Sequence, residues 1–125
     1  MGEVENRATI ERYLEAFQSK DMTILDEVYA DDAVQEWPQS GERIIGKRNI
    51  RAINENYPGL PAATTRRISG SGDVWTIETT LDYGGEVYNA VSVLEFRDGK
   101  VTRQTDYFAS PFPPPEWRAQ WVERT

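Results

Sequence analysis

The chain opens on an apolar stripe. Ile10, Tyr13, Leu14 and Phe17 recur at spacings of three and four, which places them on one face of a helix. Ser19-Lys20-Asp21 breaks that pattern, and Asp21 can cap a second short helix carrying Ile24, Leu25, Val28 and Tyr29 inward. Tyr29 to Val34 then turns the chain into a strand ending at Trp37, with Asp31-Asp32 read as turn chemistry. A short strand is predicted at Arg43–Ile45. A third helix runs from Lys47 to about Asn56, with Ile50, Ile53 and Tyr57 on one side, and Pro58-Gly59 closes it.

From Ala62 the period changes to two. Strands are predicted at Ala63–Ser69, Val74–Tyr83, Glu86–Arg97 and Lys100–Ala109, separated by turns at Gly70–Asp73, Gly84-Gly85 and Asp98-Gly99. Trp75, Ile77, Thr79, Leu81 and Tyr83 share one face of their strand, while Glu78, Thr80 and Asp82 share the other. Glu78 is therefore expected outside, against Arg66 or Arg67. The proline-rich Ser110–Pro115 forms a stiff connector to a last helical stretch, Glu116–Val122, whose Trp117 and Trp121 are expected to seal the open end of the barrel or a dimer seam. The order α-α-β-β-α-β-β-β-β with a short C-terminal helix implies an α+β fold, three N-terminal helices packed on a curved, mostly antiparallel sheet.

Composition narrows the function classes. The 125 residues make one domain, 1–125, large enough to bury roughly two thirds of the unfolded surface. A formal charge of −7 argues against a nucleic-acid surface, and no apolar run reaches the ~20 residues of a membrane helix. The absence of cysteine fits a cytoplasmic setting. The absence of histidine removes Ser-His-Asp and Cys-His catalysis and the commonest zinc ligand, so proton transfer must use Asp, Glu, Tyr, Lys or water. No metal site is expected from Asp26-Glu27 or Asp31-Asp32, and no nucleotide motif calls for a cofactor.

The element order, together with RYLEAFQSKD, YADDAV, the Gly46-x-x-x-Ile50 step and DGKVTRQTDYF, resembles the nuclear transport factor 2-like superfamily, and within it the SnoaL-like branch. The resemblance runs from about Glu5 to Phe112. It implies a cystatin-like cone with a cavity between helices and sheet, and a homodimer through the outer sheet face, where Val87, Val91 and Val93 fall. The superfamily holds polyketide cyclases, ketosteroid isomerase, limonene-epoxide hydrolase and noncatalytic binding modules. Tyr13 sits where the isomerase carries its oxyanion-stabilising tyrosine, but Trp37 replaces that enzyme's general base and Ser92 its second acidic donor. Asp106 is similar to the catalytic aspartate of the epoxide hydrolase, whose Arg-x-Asp pair is replaced by Glu78 and Thr80, and whose water-placing residues are replaced by Gln35 and Trp37.

Asp106 is the leading candidate for chemistry, because Thr102, Gln104, Asp106 and Phe108 fall on one face of the last strand. A carboxyl held among Phe17, Trp37 and Phe108 would suit proton transfer beside a carbonyl. Its bland counterpart is an aspartate that accepts backbone N–H bonds or pairs with Arg103 or Arg118. Tyr13 either donates its hydroxyl to a ligand oxygen or is a core tyrosine satisfied by backbone. Tyr29, Trp37, Trp75, Tyr88, Ser92 and Gln104 complete the expected binding surface for a small apolar metabolite, as aromatic pocket wall or ordinary core.

Overall fold

The computed structural model describes residues 2–125. Helix α1 (Glu3–Ser19) buries Ile10 and Ala16 and lays Tyr13, Leu14 and Phe17 against the core. It ends where Lys20 adopts a left-handed conformation, φ 59°, and sends the chain back. Asp21 caps the next turn by accepting from Thr23 N at 3.1 Å, as its position suggested. The segment it caps, Met22–Glu27, is a 3₁₀ helix and not an α-helix. Six residues give an α-helix few i→i+4 bonds, so the tighter coil is competitive.

Strand β1 (Tyr29–Trp37), strand β2 (Glu42–Ile45), helix α2 (Lys47–Glu55) and strands β3 (Ala62–Ser71), β4 (Val74–Asp82), β5 (Val87–Arg97) and β6 (Lys100–Ala109) follow. The six strands form one sheet in the order β2-β1-β6-β5-β4-β3. Every pairing is antiparallel except β1 with β6, which are separated in the chain by β2, α2 and the strands β3 to β5, so no tight turn constrains their relative direction. The helices cover one face of this sheet, and the core between them holds Ile10, Leu25, Ile50, Ile77 and Leu94.

The predicted turn at Asp31-Asp32 is corrected. Both residues lie inside β1, exposed, where the register against β6 is interrupted between Tyr29 and Val34. They pair with Lys47 and Arg97. Arg66 is the extra residue of a bulge between Thr65 and Arg67, and Arg67 faces Glu78, which it pairs on the outer side as the alternation requires. Gly70 is dictated by contact: a Cβ there would lie 2.6 Å from Val74 O and 2.7 Å from Trp75 Cα.

The C-terminal stretch is a 3₁₀ helix, Glu116–Trp121. Trp117 and Trp121 are 72% and 70% exposed, so within the chain they seal nothing; the extended Ser110–Pro115 segment carries them clear of the barrel.

Candidate ligand cavity and its buried carboxylate

A cavity of about 450 Å³ opens between α1, the segment after α2 and the concave face of the sheet. Leu14, Phe17, Leu60, Leu81 and Phe108 make its wall largely apolar. Trp37 meets Phe108 edge-on at 6.4 Å, and Tyr13 meets Phe17 edge-on at 5.0 Å. At the rim the hydroxyls of Tyr57 and Tyr83 lie 3.1 Å apart, linking the end of α2 to the end of β4. A second hollow, among Asp26, Lys47, Arg48, Arg51 and Glu55, is a charged surface cleft crossed by ion pairs of Arg51 with Asp26 and Glu55.

Asp106 lines the cavity at 3% exposure. A bulge at Thr102 resets the alternation of β6: Glu95 faces Arg103 but Phe96 faces Val101. Val101 thus points inward on one side of the bulge, and Gln104, Asp106 and Phe108 do so on the other. The carboxylate meets four side-chain donors. Oδ2 accepts from Gln35 Nε2 at 2.5 Å and Trp37 Nε1 at 2.9 Å; Oδ1 accepts from Ser92 Oγ at 2.6 Å and Gln104 Nε2 at 2.8 Å. Neither arginine considered as its partner takes part: Arg103 pairs with Glu36 on the outer face, and Arg118 lies over the Trp117 ring in the C-terminal segment. The expectation of apolar surroundings is corrected as well: the rings are near, but polar donors hold the carboxylate, the arrangement that makes a buried charge tolerable.

Behind this cage Tyr29 donates its hydroxyl to Gln104 Oε1 at 2.6 Å, and Gln104 Nε2 also reaches the Tyr13 oxygen at 3.4 Å. Burial pushes the Tyr13 phenol above its usual value; the Asp106 charge adds to this, and the Gln104 hydrogen bond opposes it. Burial raises Tyr29 strongly too, with smaller contributions from Tyr13 and Asp106. Both phenols therefore stay protonated donors through neutral pH. Gln35 Oε1 is buried without a partner among the described residues, because the amide has turned its nitrogen toward Asp106.

The cavity unites Asp106, Tyr13, Phe17, Tyr29, Trp37, Ser92 and Phe108. Gln104 stands one layer back, 1% exposed, and touches Asp106 instead of the open space. Two expected binding residues lie elsewhere. Trp75 fills the far end of the core, its Nε1 donating to Gly72 O at 2.9 Å and Arg7 stacked over its ring at 5.2 Å. Tyr88 packs edge-on behind Tyr83 at 5.5 Å and donates to Glu86 at 2.7 Å. Gln35, named from the sequence only as a replacement in the epoxide hydrolase comparison, joins the cavity with Tyr57 and Tyr83, and the alternation already placed Tyr83 on the inner face of its strand. Among the described residues no group of three His, Cys, Asp or Glu could hold a metal ion, and no helix is long and apolar enough to cross a membrane.

The SnoaL-like domain model matches residues 10–104. The chain belongs to that family, within the nuclear transport factor 2-like superfamily. The matched segment stops two residues short of Asp106. A nuclear transport factor 2-like protein of unknown function from Burkholderia xenovorans is 40% identical, with a TM-score of 0.88 over 98% of this chain and 97% of the other. A candidate ketosteroid isomerase from Kribbella flavida is 30% identical, with a TM-score of 0.90 over 97% and 90% of the two chains. An epoxide hydrolase from M. tuberculosis, of the limonene-epoxide hydrolase-like type, is 28% identical, with a TM-score of 0.71 over 84% and 83%.

Proposed function

We propose that this chain binds a small, mostly apolar cyclic carbonyl compound in the cone and moves a proton beside its carbonyl without a cofactor. The observation that carries this is the placement of a single buried carboxylate, Asp106, on the wall of a largely apolar cavity that also presents the Tyr13 phenol. Asp106 takes the proton from the carbon next to the carbonyl. The C–H electron pair becomes the enolate double bond, and the carbonyl π pair moves onto oxygen, where Tyr13 O–H stabilises it. Where the compound carries a β,γ-double bond, the enolate is a dienolate, and return of the proton to its γ-carbon isomerises the compound; without that bond the proton returns to the α-carbon and only exchange results.

A protonated Asp106 needs a neighbour that can accept: the Ser92 hydroxyl does so at Oδ1 by rotating, and the Gln35 amide does so at Oδ2 by turning its unpartnered Oε1 inward, whereas the Trp37 indole only donates. The 30%-identical relative named for ketosteroid isomerisation supports chemistry beside a carbonyl. Epoxide hydrolysis is less well supported, since Glu78 lies outside with Arg67. The outer sheet face, where Val91 and Tyr107 are cross-strand partners and both partly exposed, supports a homodimer.

The test is deuterium exchange. Cyclic ketones incubated with the protein in D₂O should lose their α-proton NMR signals, and Asp106→Asn should abolish the loss. Unchanged exchange in that variant removes Asp106 from the mechanism. A noncatalytic carrier is the second reading, favoured by the donors already filling the acceptor positions of Asp106; ketone binding without exchange would select it.

A further inference from the structure

We infer that Gln104 and Tyr29 are positioning residues that reserve the Tyr13 proton for the ligand's oxygen. This rests on the cavity reading above and adds how the donor is chosen between two buried tyrosines.

The argument follows the direction of each hydrogen bond. The Gln104 end 2.8 Å from Asp106 Oδ1 is the nitrogen, because a carboxylate oxygen only accepts, and that nitrogen also reaches the Tyr13 oxygen at 3.4 Å. The other end, Oε1, therefore accepts from Tyr29 at 2.6 Å, which spends the Tyr29 proton and holds the amide in this orientation from behind. An amide nitrogen only donates, so Tyr13 cannot give its proton to Gln104. Nor does it give it to Asp106: Oδ1 is engaged by Ser92 and Gln104, and Oδ2 by Gln35 and Trp37. Among the described residues the Tyr13 hydroxyl has no acceptor, and its side chain lines the cavity. One amide, oriented from behind by Tyr29, thus separates a phenol from a carboxylate that would otherwise consume its proton. Without that amide, Asp106 Oδ1 has a vacant acceptor position on the Tyr13 side, and the phenol turns to it.

The probe is 1-tetralone labelled with ¹³C at the carbonyl, because a hydrogen bond to a carbonyl oxygen moves that signal downfield. Bound to the unmodified protein, the signal should lie downfield of free ketone, and Tyr13→Phe should return it to the free position. Gln104→Met should return it most of the way and Tyr29→Phe part of the way, with the ketone still bound at saturation in each. Tyr29→Phe removes a single oxygen from a core position and carries the test should Gln104→Met fail to fold. If Tyr13→Phe loses the shift while Gln104→Met and Tyr29→Phe keep it, the positioning role is refuted and the cavity reading stands. If the ketone does not bind, or Tyr13→Phe leaves the signal displaced, the cavity reading fails and takes this inference with it.

Discussion

Ser92 and Asp106 are register partners on β5 and β6, and the serine hydroxyl donates to Asp106 Oδ1 at 2.6 Å. Removing that hydroxyl withdraws one charge-assisted hydrogen bond from a buried carboxylate. Ser92→Ala should lower stability by about 1.5–3 kcal/mol in urea unfolding, and Ser92→Thr should restore most of it. Deuterium exchange should fall with Ser92→Ala and recover with Ser92→Thr, since both hydroxyls can turn from donor to acceptor.

Asp106→Asn replaces one accepting oxygen with a donating NH₂ group in a cage built from donors. Loss of exchange should reach roughly 10²- to 10⁴-fold, the usual worth of a positioned acid or base. A stability loss of about 1–3 kcal/mol should accompany it, because whichever oxygen is replaced leaves donors facing a donor. Circular dichroism and urea unfolding separate this from a global failure to fold. An unchanged urea midpoint would mean that the four donors do not all converge on this side chain.

Alkaline pH should unfold the chain through its buried phenols. Tyr13 and Tyr29 ionise in the folded chain above the usual tyrosine value of about 10, chiefly because burial favours their neutral forms. Above that pH the unfolded chain gives up protons that the folded chain retains. Their contribution is complete below about pH 10 and is lost as pH rises through the folded values. Urea midpoints measured from about pH 8 to 12 should decline less steeply in Tyr29→Phe, and equal slopes would contradict this assignment.

Gly70→Ala should destabilise by about 1–3 kcal/mol, as overpacking does. The new methyl meets backbone atoms of Val74 and Trp75, which cannot swing aside as a side-chain tip would. Thermal unfolding measures the loss, and a variant of unchanged melting temperature would show that β3 and β4 separate there without penalty.

Val91→Lys should convert the proposed homodimer to monomer. Val91 lies beside Tyr107 on the outer sheet face, and two copies related by a twofold axis would bring like charges together. Sedimentation velocity reads the outcome; an unmodified protein that sediments as a monomer would refute the proposed dimer.

What was legible in the sequence was local. The spacing of Ile10, Tyr13, Leu14 and Phe17 determined which side of α1 faces inward, because a helix repeats at that interval whatever surrounds it. Alternation along β4 placed Glu78 outside, since a slip of one residue would expose Trp75 and Ile77, but it left Arg66 and Arg67 both open as partners until the bulge at Arg66 set Arg67 opposite. Tertiary structure decided the rest. Trp75 and Leu81 share a face of one strand, yet the first plugs the core beneath Arg7 and the second lines the cavity; alternation gives the face, not the end of the cone. The bulge at Thr102 and the parallel pairing of β1 with β6 brought Gln35 and Trp37 to a carboxylate about 70 residues away in the chain. Hydrogen bonds at that separation depend on strand order and register, which no local repeat encodes.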